Sequence, residues 1–283
     1  MWRGCEEPRL FCDLEMIAKI FDIIKVMESF APFHLAEEWD NVGLQVGQND
    51  WPVKKVWIAL DPAPDVVEVA CSKDVDLIIA HHPLIFRPLK SIDFSTPVGY
   101  VIDMAVRHRT AVFSAHTNLD SAKDGINDVI AKRIGLKNLK VLGKVRGAEN
   151  AQGIGRIGEL DEKKELADFA LEIKKTLKLK SVKIAGKPDL PVKSVSVCTG
   201  SGSSLMNNFF SSGSQVYISG DLSYHDARAV EAANLGLIDI GHFASEHLIV
   251  EVLAERLQKV LVESELDVKV EACNLEKDPF VIL

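Results

Sequence analysis

The sequence predicts an α/β protein of two related halves, each a mostly parallel sheet flanked by helices. Three observations carry this. Apolar runs of strand length alternate with helical stretches between residues 56 and 114, the βαβαβ order of a parallel sheet. The alternation resumes at Val195 and continues to Leu261. In both stretches an apolar strand ends in histidine, at His81-His82 and at His242, which suggests duplication of one unit.

Residues 13–30 place Ile17, Ile20, Phe21, Ile24 and Met27 on one helical face, with Asp13 as the cap. Val56-Trp57-Ile58-Ala59-Leu60 is a strand and Pro64–Ser72 a helix. Val75-Asp76-Leu77-Ile78-Ile79-Ala80 carries so few polar residues that it fits a strand buried on both faces. A helix over 97–108 and a strand over Thr110–Ser114 complete the first half. Ile154–Leu160 is another strand, Glu162–Leu177 a helix with exposed lysines and glutamates, and Ser181–Ala185 a short strand. The alternation then repeats as Val195–Cys198, Gln215–Ser219, a helix over Ser223–Asn234, the strand Leu235–Ile240 and a long amphipathic helix through Leu261. The expected division is an N-terminal half over 13–145, a connecting segment over 146–190 and a C-terminal half over 191–283.

The chain has 283 residues, 47% of them hydrophobic, enough to bury a full core. A net charge of -8 and a pI near 5.5 argue against a broad basic surface, so direct nucleic-acid binding is not expected. The five cysteines are scattered and form no C-x-x-C, which favours a reducing compartment and disfavours a thiolate zinc site. No apolar stretch is long and uncharged enough to cross a bilayer, and no secretory layout opens the chain. A cytoplasmic protein is expected, with a nuclear or mitochondrial pool allowed. Arg3 and Arg9 favour organelle import, but Glu6, Glu7 and Asp13 are too acidic for a convincing transit peptide.

Open α/β sheets bind ligands beyond the C-terminal ends of their strands. His81 and His82 sit at such an end, His116 and Asp120 follow the strand ending at Ser114, and His242 closes the last strand with Glu246 four residues on. Imidazole with carboxylate and no thiolate suits borderline divalent metals such as Zn, Mn, Fe, Co or Ni. Neighbouring strand residues point to opposite faces, so His81 and His82 reach two adjacent ions more easily than one. Glu246, placed by the sequence near the first turn of a helix, has the dipole in its favour and two oxygens with which to bridge. His81, His82, Asp120, His242 and Glu246 with two divalent ions leave a surplus of about two positive charges, which favours a small anionic substrate such as a phosphate.

Other residues keep two readings. His116 either supports Asp120 or a ligand imidazole, or serves structure alone. His225 is either a proton shuttle or a helix-start residue bonded to Asp221. Trp39–Gly47 either is a turn or lines the cleft. Gly153-Ile154-Gly155-Arg156-Ile157-Gly158 fits G-x-G-x-x-G in form, yet it reads as a strand itself, so no dinucleotide site is expected. Gly200–Ser204 either offers amides to a phosphate or is a plain turn.

Trp39-Asp40-Asn41-Val42-Gly43-Leu44-Gln45-Val46-Gly47, the strand ending His81-His82-Pro83, His116-Thr117-Asn118-Leu119-Asp120, Ser219-Gly220-Asp221 with His225, and Gly241-His242-Phe243-Ala244-Ser245-Glu246 together resemble the Nif-three-like family, also known as GTP cyclohydrolase I type 2 homologues. The resemblance runs in order from about residue 13 to the C-terminus. It implies two related α/β halves, a dinuclear metal centre in the cleft between them, and homohexameric rings. By motif it assigns His81, His82, Asp120, His242 and Glu246 as metal ligands, with Glu246 as the bridge. The modest segment between the halves matches the short form, without the inserted domain of larger members. Two functions follow from it. One is a metal-dependent hydrolase acting on GTP or another phosphorylated small molecule, with catalytic support from His116 and His225. The other is a non-enzymatic metal-binding oligomer with transcription-related protein partners.

Overall fold

The structure, a computed structural model, describes residues 17–144 and 152–282. The first sheet takes shape from α1 (Ile20–Phe30), β1 (Gly43–Val46), β2 (Lys55–Ala59), α2 (Pro64–Ser72), β3 (Leu77–Ala80), α3 (Pro97–His108) and β4 (Ala111–Ser114). Short α4 (Thr117–Ser121) and α5 (Ile126–Arg133) lead to β5 (Lys137–Lys144), β6 (Gly153–Glu165), α6 (Leu166–Thr176) and β7 (Lys183–Ala185). The chain continues through β8 (Pro191–Ser201), α7 (Met206–Ser212), β9 (Val216–Gly220), α8 (Tyr224–Ala232), β10 (Gly236–Asp239), α9 (His242–Glu246), α10 (Leu248–Glu263) and β11 (Lys269–Ala272).

The first sheet has the order β1-β4-β3-β2-β11. β4, β3, β2 and β11 are parallel, and only the edge strand β1 runs against them. Alternate residues bury opposite faces, as strand geometry requires. Ile58, Leu77, Ile79 and Phe113 pack under α1 and α10, whereas Trp57, Ile78 and Val112 pack under α2 and α3. Burial on both faces explains why the strand before His81 is almost uninterruptedly apolar.

The second sheet, β5-β6-β8-β9-β10-β7, is mixed rather than mostly parallel. β8, β9 and β10 are parallel; β5, β6 and β7 pair antiparallel. Only α7 and α8 supply the helical crossovers that parallel pairing needs.

Boundaries differ from the sequence expectation in four places. The first helix starts at Ile20, not before Ile17, because the 49–51 loop takes its first amides: Ile20 N–H donates to Trp51 O at 3.0 Å and Phe21 N–H to Asn49 O at 2.9 Å. Asp13, its expected cap, lies outside the described residues. Glu162–Glu165, expected in a helix, extends β6, where Lys164 and Glu165 pair with Val192 and Pro191. The expected C-terminal half also does not stay with one sheet. α10 packs Leu253, Leu257 and Leu261 into the first core, and β11 pairs in parallel with β2. β5, expected in the first half, belongs to the second sheet.

These crossings set two groups of parallel strand ends against each other. In the first sheet Ala59, Ala80 and Ser114 are level, so Asp61, His82 and His116 emerge side by side. In the second, Ser219 and Asp239 are level, so Asp221 and His242 emerge together. No described helix is long and apolar enough to cross a membrane.

Candidate metal centre

The five residues singled out as ligands converge. Glu246 Oε2 lies 3.1 Å from His82 Nε2 and 3.0 Å from His242 Nε2, and these two nitrogens are 3.4 Å apart. The other oxygen of Glu246, Oε1, lies 3.7 Å from His81 Nε2, which is also 3.7 Å from Asp120 Oδ1. His81 and Glu246 are buried, while His82 and His242 keep an edge toward solvent.

Each ring is turned by a bond at its other nitrogen. His81 Nδ1 faces Ala115 O at 2.9 Å, His82 Nδ1 faces Asp61 Oδ1 at 2.8 Å, and His242 Nδ1 faces Asp221 Oδ2 at 2.7 Å. Because these partners only accept, each Nδ1 carries the proton, and in the neutral ring Nε2 presents a lone pair. Lone pairs of three imidazoles therefore point at two carboxylates. His81 Nε2, Asp120 Oδ1 and Glu246 Oε2 are buried with no hydrogen-bond partner, a need that a cation would meet. The donor set also fits by size. Ligand atoms around a tetrahedral ion with bonds of ~2.0–2.1 Å stand about 3.3 Å apart, close to the His82–His242–Glu246 triangle.

Protons fill that role when no metal does. Burial works against a charged His82, but hydrogen bonds to Asp61 and Glu246 outweigh it and raise its pKa to about 10. His242, bonded first to Glu246 and then to Asp221, rises to about 9. Burial likewise disfavours ionised Glu246, yet the three imidazoles hold it well below the carboxylate range. Asp120, with burial dominant, is pushed up. The stability that the charged His82 and His242 contribute is therefore full below the ordinary value near ~6.5 and is lost as pH rises through 9–10. Metal must expel these protons, so affinity rises with pH. Calorimetry of zinc binding at pH 7 in buffers of different ionisation enthalpy should register proton release; heats independent of buffer would contradict this.

α9 is a single turn that brings His242 and Glu246, four residues apart, onto one face. Glu246 thus closes α9 instead of opening a helix, and its charge is held by imidazoles rather than by a helix dipole. Gly200 makes room for it. A Cβ there would fall 2.2 Å from Glu246 Oε1, and its φ of +63° is itself unfavourable for other residues. Gly200→Ala is therefore expected to weaken zinc affinity by about 10–100-fold, the scale of lost ligand support; chelator competition reads this, and unchanged affinity would refute it. The amide of Gly200 is taken by Ser245 Oγ at 2.8 Å, so this segment seats the carboxylate, and that amide is not free for a phosphate.

His116 stands with the centre. Its Nδ1 lies 2.9 Å from Asp40 Oδ1, its ring is 5.2 Å from that of His81, and it can offer an atom to a shared site with His81 and His82. Burial disfavours ionised Asp40, but bonds from His116 and Thr117 bring its pKa down to about 2. Trp39 contacts His116 edge-on at 6.1 Å, so the Trp39–Gly47 segment borders the site. His225 is exposed at the start of α8 against Tyr224, and Asp221, its expected partner, serves His242 instead. The glycine-rich 153–158 run is strand β6, as its pattern indicated.

Asp61 had not been singled out, and Asp40 and Gly200 had been noted only within the Trp39–Gly47 and Gly200–Ser204 segments, not as supports of His116 and Glu246. A signal for the first was present: Asp61 precedes His82, and Asp221 precedes His242, by the same 21 residues.

The "GTP cyclohydrolase 1 type 2 homolog" of Clostridium acetobutylicum is 34% identical over 265 residues, covering 94% of this chain and 99% of that protein. The protein of the same description from Bacillus subtilis is 27% identical over 365 residues, covering 92% and 98%. That alignment is longer than the 283-residue chain, so the Bacillus relative carries an insertion absent here. Among solved structures, a Bacillus cereus protein related to NIF3 superposes with a TM-score of 0.88 at 28% identity, over 94% of this chain and 100% of that one. Reduced HcgD from Methanocaldococcus jannaschii superposes at 0.75 with 32% identity, over 89% and 96%. With the model of that family matching residues 18–279, this chain belongs to the Duf34/NIF3 (NGG1p interacting factor 3) family.

Proposed function

We propose that the protein is a metal-dependent hydrolase acting on a phosphorylated, nucleotide-like small molecule at a dinuclear centre. His81 and Asp120 would hold one divalent ion, His82 and His242 the other, with Glu246 between them. The observation that carries this reading is the convergence of three outward-anchored imidazoles on two buried carboxylates. Bound ions would supply Lewis acidity toward a phosphate or carbonyl oxygen and lower the pKa of water to near ~7.

A cavity of about 1230 Å³ is lined by His82, His242, Asp61 and Asp221, spacious beside the ~300–1,000 Å³ of common ligand pockets. Arg133, Lys178 and Lys180 also line it, and none of them forms an ion pair among the described residues. They bind and orient an anionic substrate whose reacting end meets the histidine edge. His116 takes a proton at Nε2, and ionised Asp40 at Nδ1 stabilises the resulting imidazolium. The description borne by the clostridial and Bacillus relatives directs the search first to GTP.

A screen of nucleotides, phosphoesters and cyclic amidines with metal-loaded protein tests this. His116→Gln should lower kcat by about 10²–10⁴-fold at unchanged metal content, and Asp120→Asn should lose both metal and turnover. Metal-replete wild type inert across the screen would overturn the proposal.

A further inference from the structure

Beyond β11, Glu276 reaches back to the loop that follows β2, and its side chain is 4% exposed. It accepts from Leu60 N–H at 2.9 Å and from Asp61 N–H at 2.7 Å. Those two residues determine how His82 stands. Leu60 O accepts from His82 N–H at 2.8 Å, and Asp61 Oδ1 holds the ring at Nδ1. The same carboxylate lies 3.5 Å from Nε2 of His247, the residue after Glu246, whose ring stacks on Phe243 at 4.6 Å. One buried carboxylate thus touches the loop that aims His82 and the turn that follows Glu246.

We propose that Glu276 is a positioning residue for the metal centre, latching the segment after β11 onto the Asp61 loop so that His82 meets Glu246 at binding distance. It touches no proposed ligand and acts through Asp61. The inference rests on the proposed metal site and adds to it a coupling between the C-terminal segment and ion affinity. Docking of that segment pre-orients His82, and a bound ion in turn holds the segment down, since binding coupling is reciprocal.

Glu276→Gln keeps the shape but loses the charge and turns an N–H toward backbone donors. Glu276→Asp retains charge at shorter reach and serves if the first variant folds poorly. Glu271→Gln is the control: Glu271, on β11 beside β2, accepts from Trp57 Nε1 at 3.0 Å and pairs with Lys55 and Lys269, away from the Asp61 loop. Zinc affinity by chelator competition should fall about 10–100-fold in Glu276→Gln and stay within about twofold in Glu271→Gln. Hydrogen exchange should show Leu60 and Asp61 amides losing protection in metal-free Glu276→Gln, and zinc slowing exchange over residues 273–279 of the wild type. Unchanged zinc affinity in both Glu276 variants, or equal losses in Glu271→Gln, would overturn the latch. Wild type that binds no zinc would instead overturn the metal site, while intact Leu60 and Asp61 protection in Glu276→Gln would still overturn the latch by itself.

Discussion

Glu246→Gln is expected to strip the centre of its metal. The carboxylate gives one oxygen to the His82–His242 pair and the other to His81. An amide keeps a single acceptor and turns N–H donors toward imidazole nitrogens, and the negative charge that would neutralise the proposed ions is lost. The fall in affinity should exceed the ~10–100-fold governed by supporting partners. Side-chain volume barely changes, so the fold survives, and His82 and His242 should titrate closer to the ordinary range in the metal-free variant. Elemental analysis after purification without added metal, with chelator competition, is the measurement. Equal metal content in wild type and variant would refute the assignment of Glu246.

Arg156→Met is expected to cost about 3–5 kcal/mol of stability, because it strands a buried carboxylate. Arg156 is 2% exposed, and Nε and Nη2 engage both oxygens of Asp128 at 2.9 and 2.6 Å. Its remaining donors reach Gly153 O, Gly155 O and Ala122 O. The guanidinium therefore pins β6 to α5 and to the end of α4, the turn that carries Asp120. Denaturant unfolding measures the loss; a change below about 1 kcal/mol would contradict the account. Adding Asp128→Leu should restore much of it, since an apolar pair of similar volume often replaces a buried ion pair without net cost.

That these five side chains would converge was legible because strand period and strand ends are local signals. His81, His82 and His242 each follow an apolar run, and Asp120 and Glu246 lie four residues beyond a strand-end histidine. Partners that turn the rings were harder to find, since Asp40 and Asp61 act across strands and only folding brings them to His116 and His82. Short β11, Lys269–Ala272, gives no hint in its own alternation of which sheet receives it. The charged run Glu162–Glu165 has the composition of a helix, but pairing with β8 prevailed over propensity. Gly200 looked like a turn or phosphate loop, because nothing nearby in sequence announces that Glu246 fills the space above it.

The return of α10 and β11 to the opening sheet has a bearing on biogenesis. A nascent polypeptide can pair β2, β3 and β4 early, yet that layer keeps a bare margin until residues 269–272 emerge from the ribosome. His81 and His82 are thus translated long before their counterpart histidine and glutamate, and the cluster of five side chains is complete only when synthesis of the chain is nearly finished.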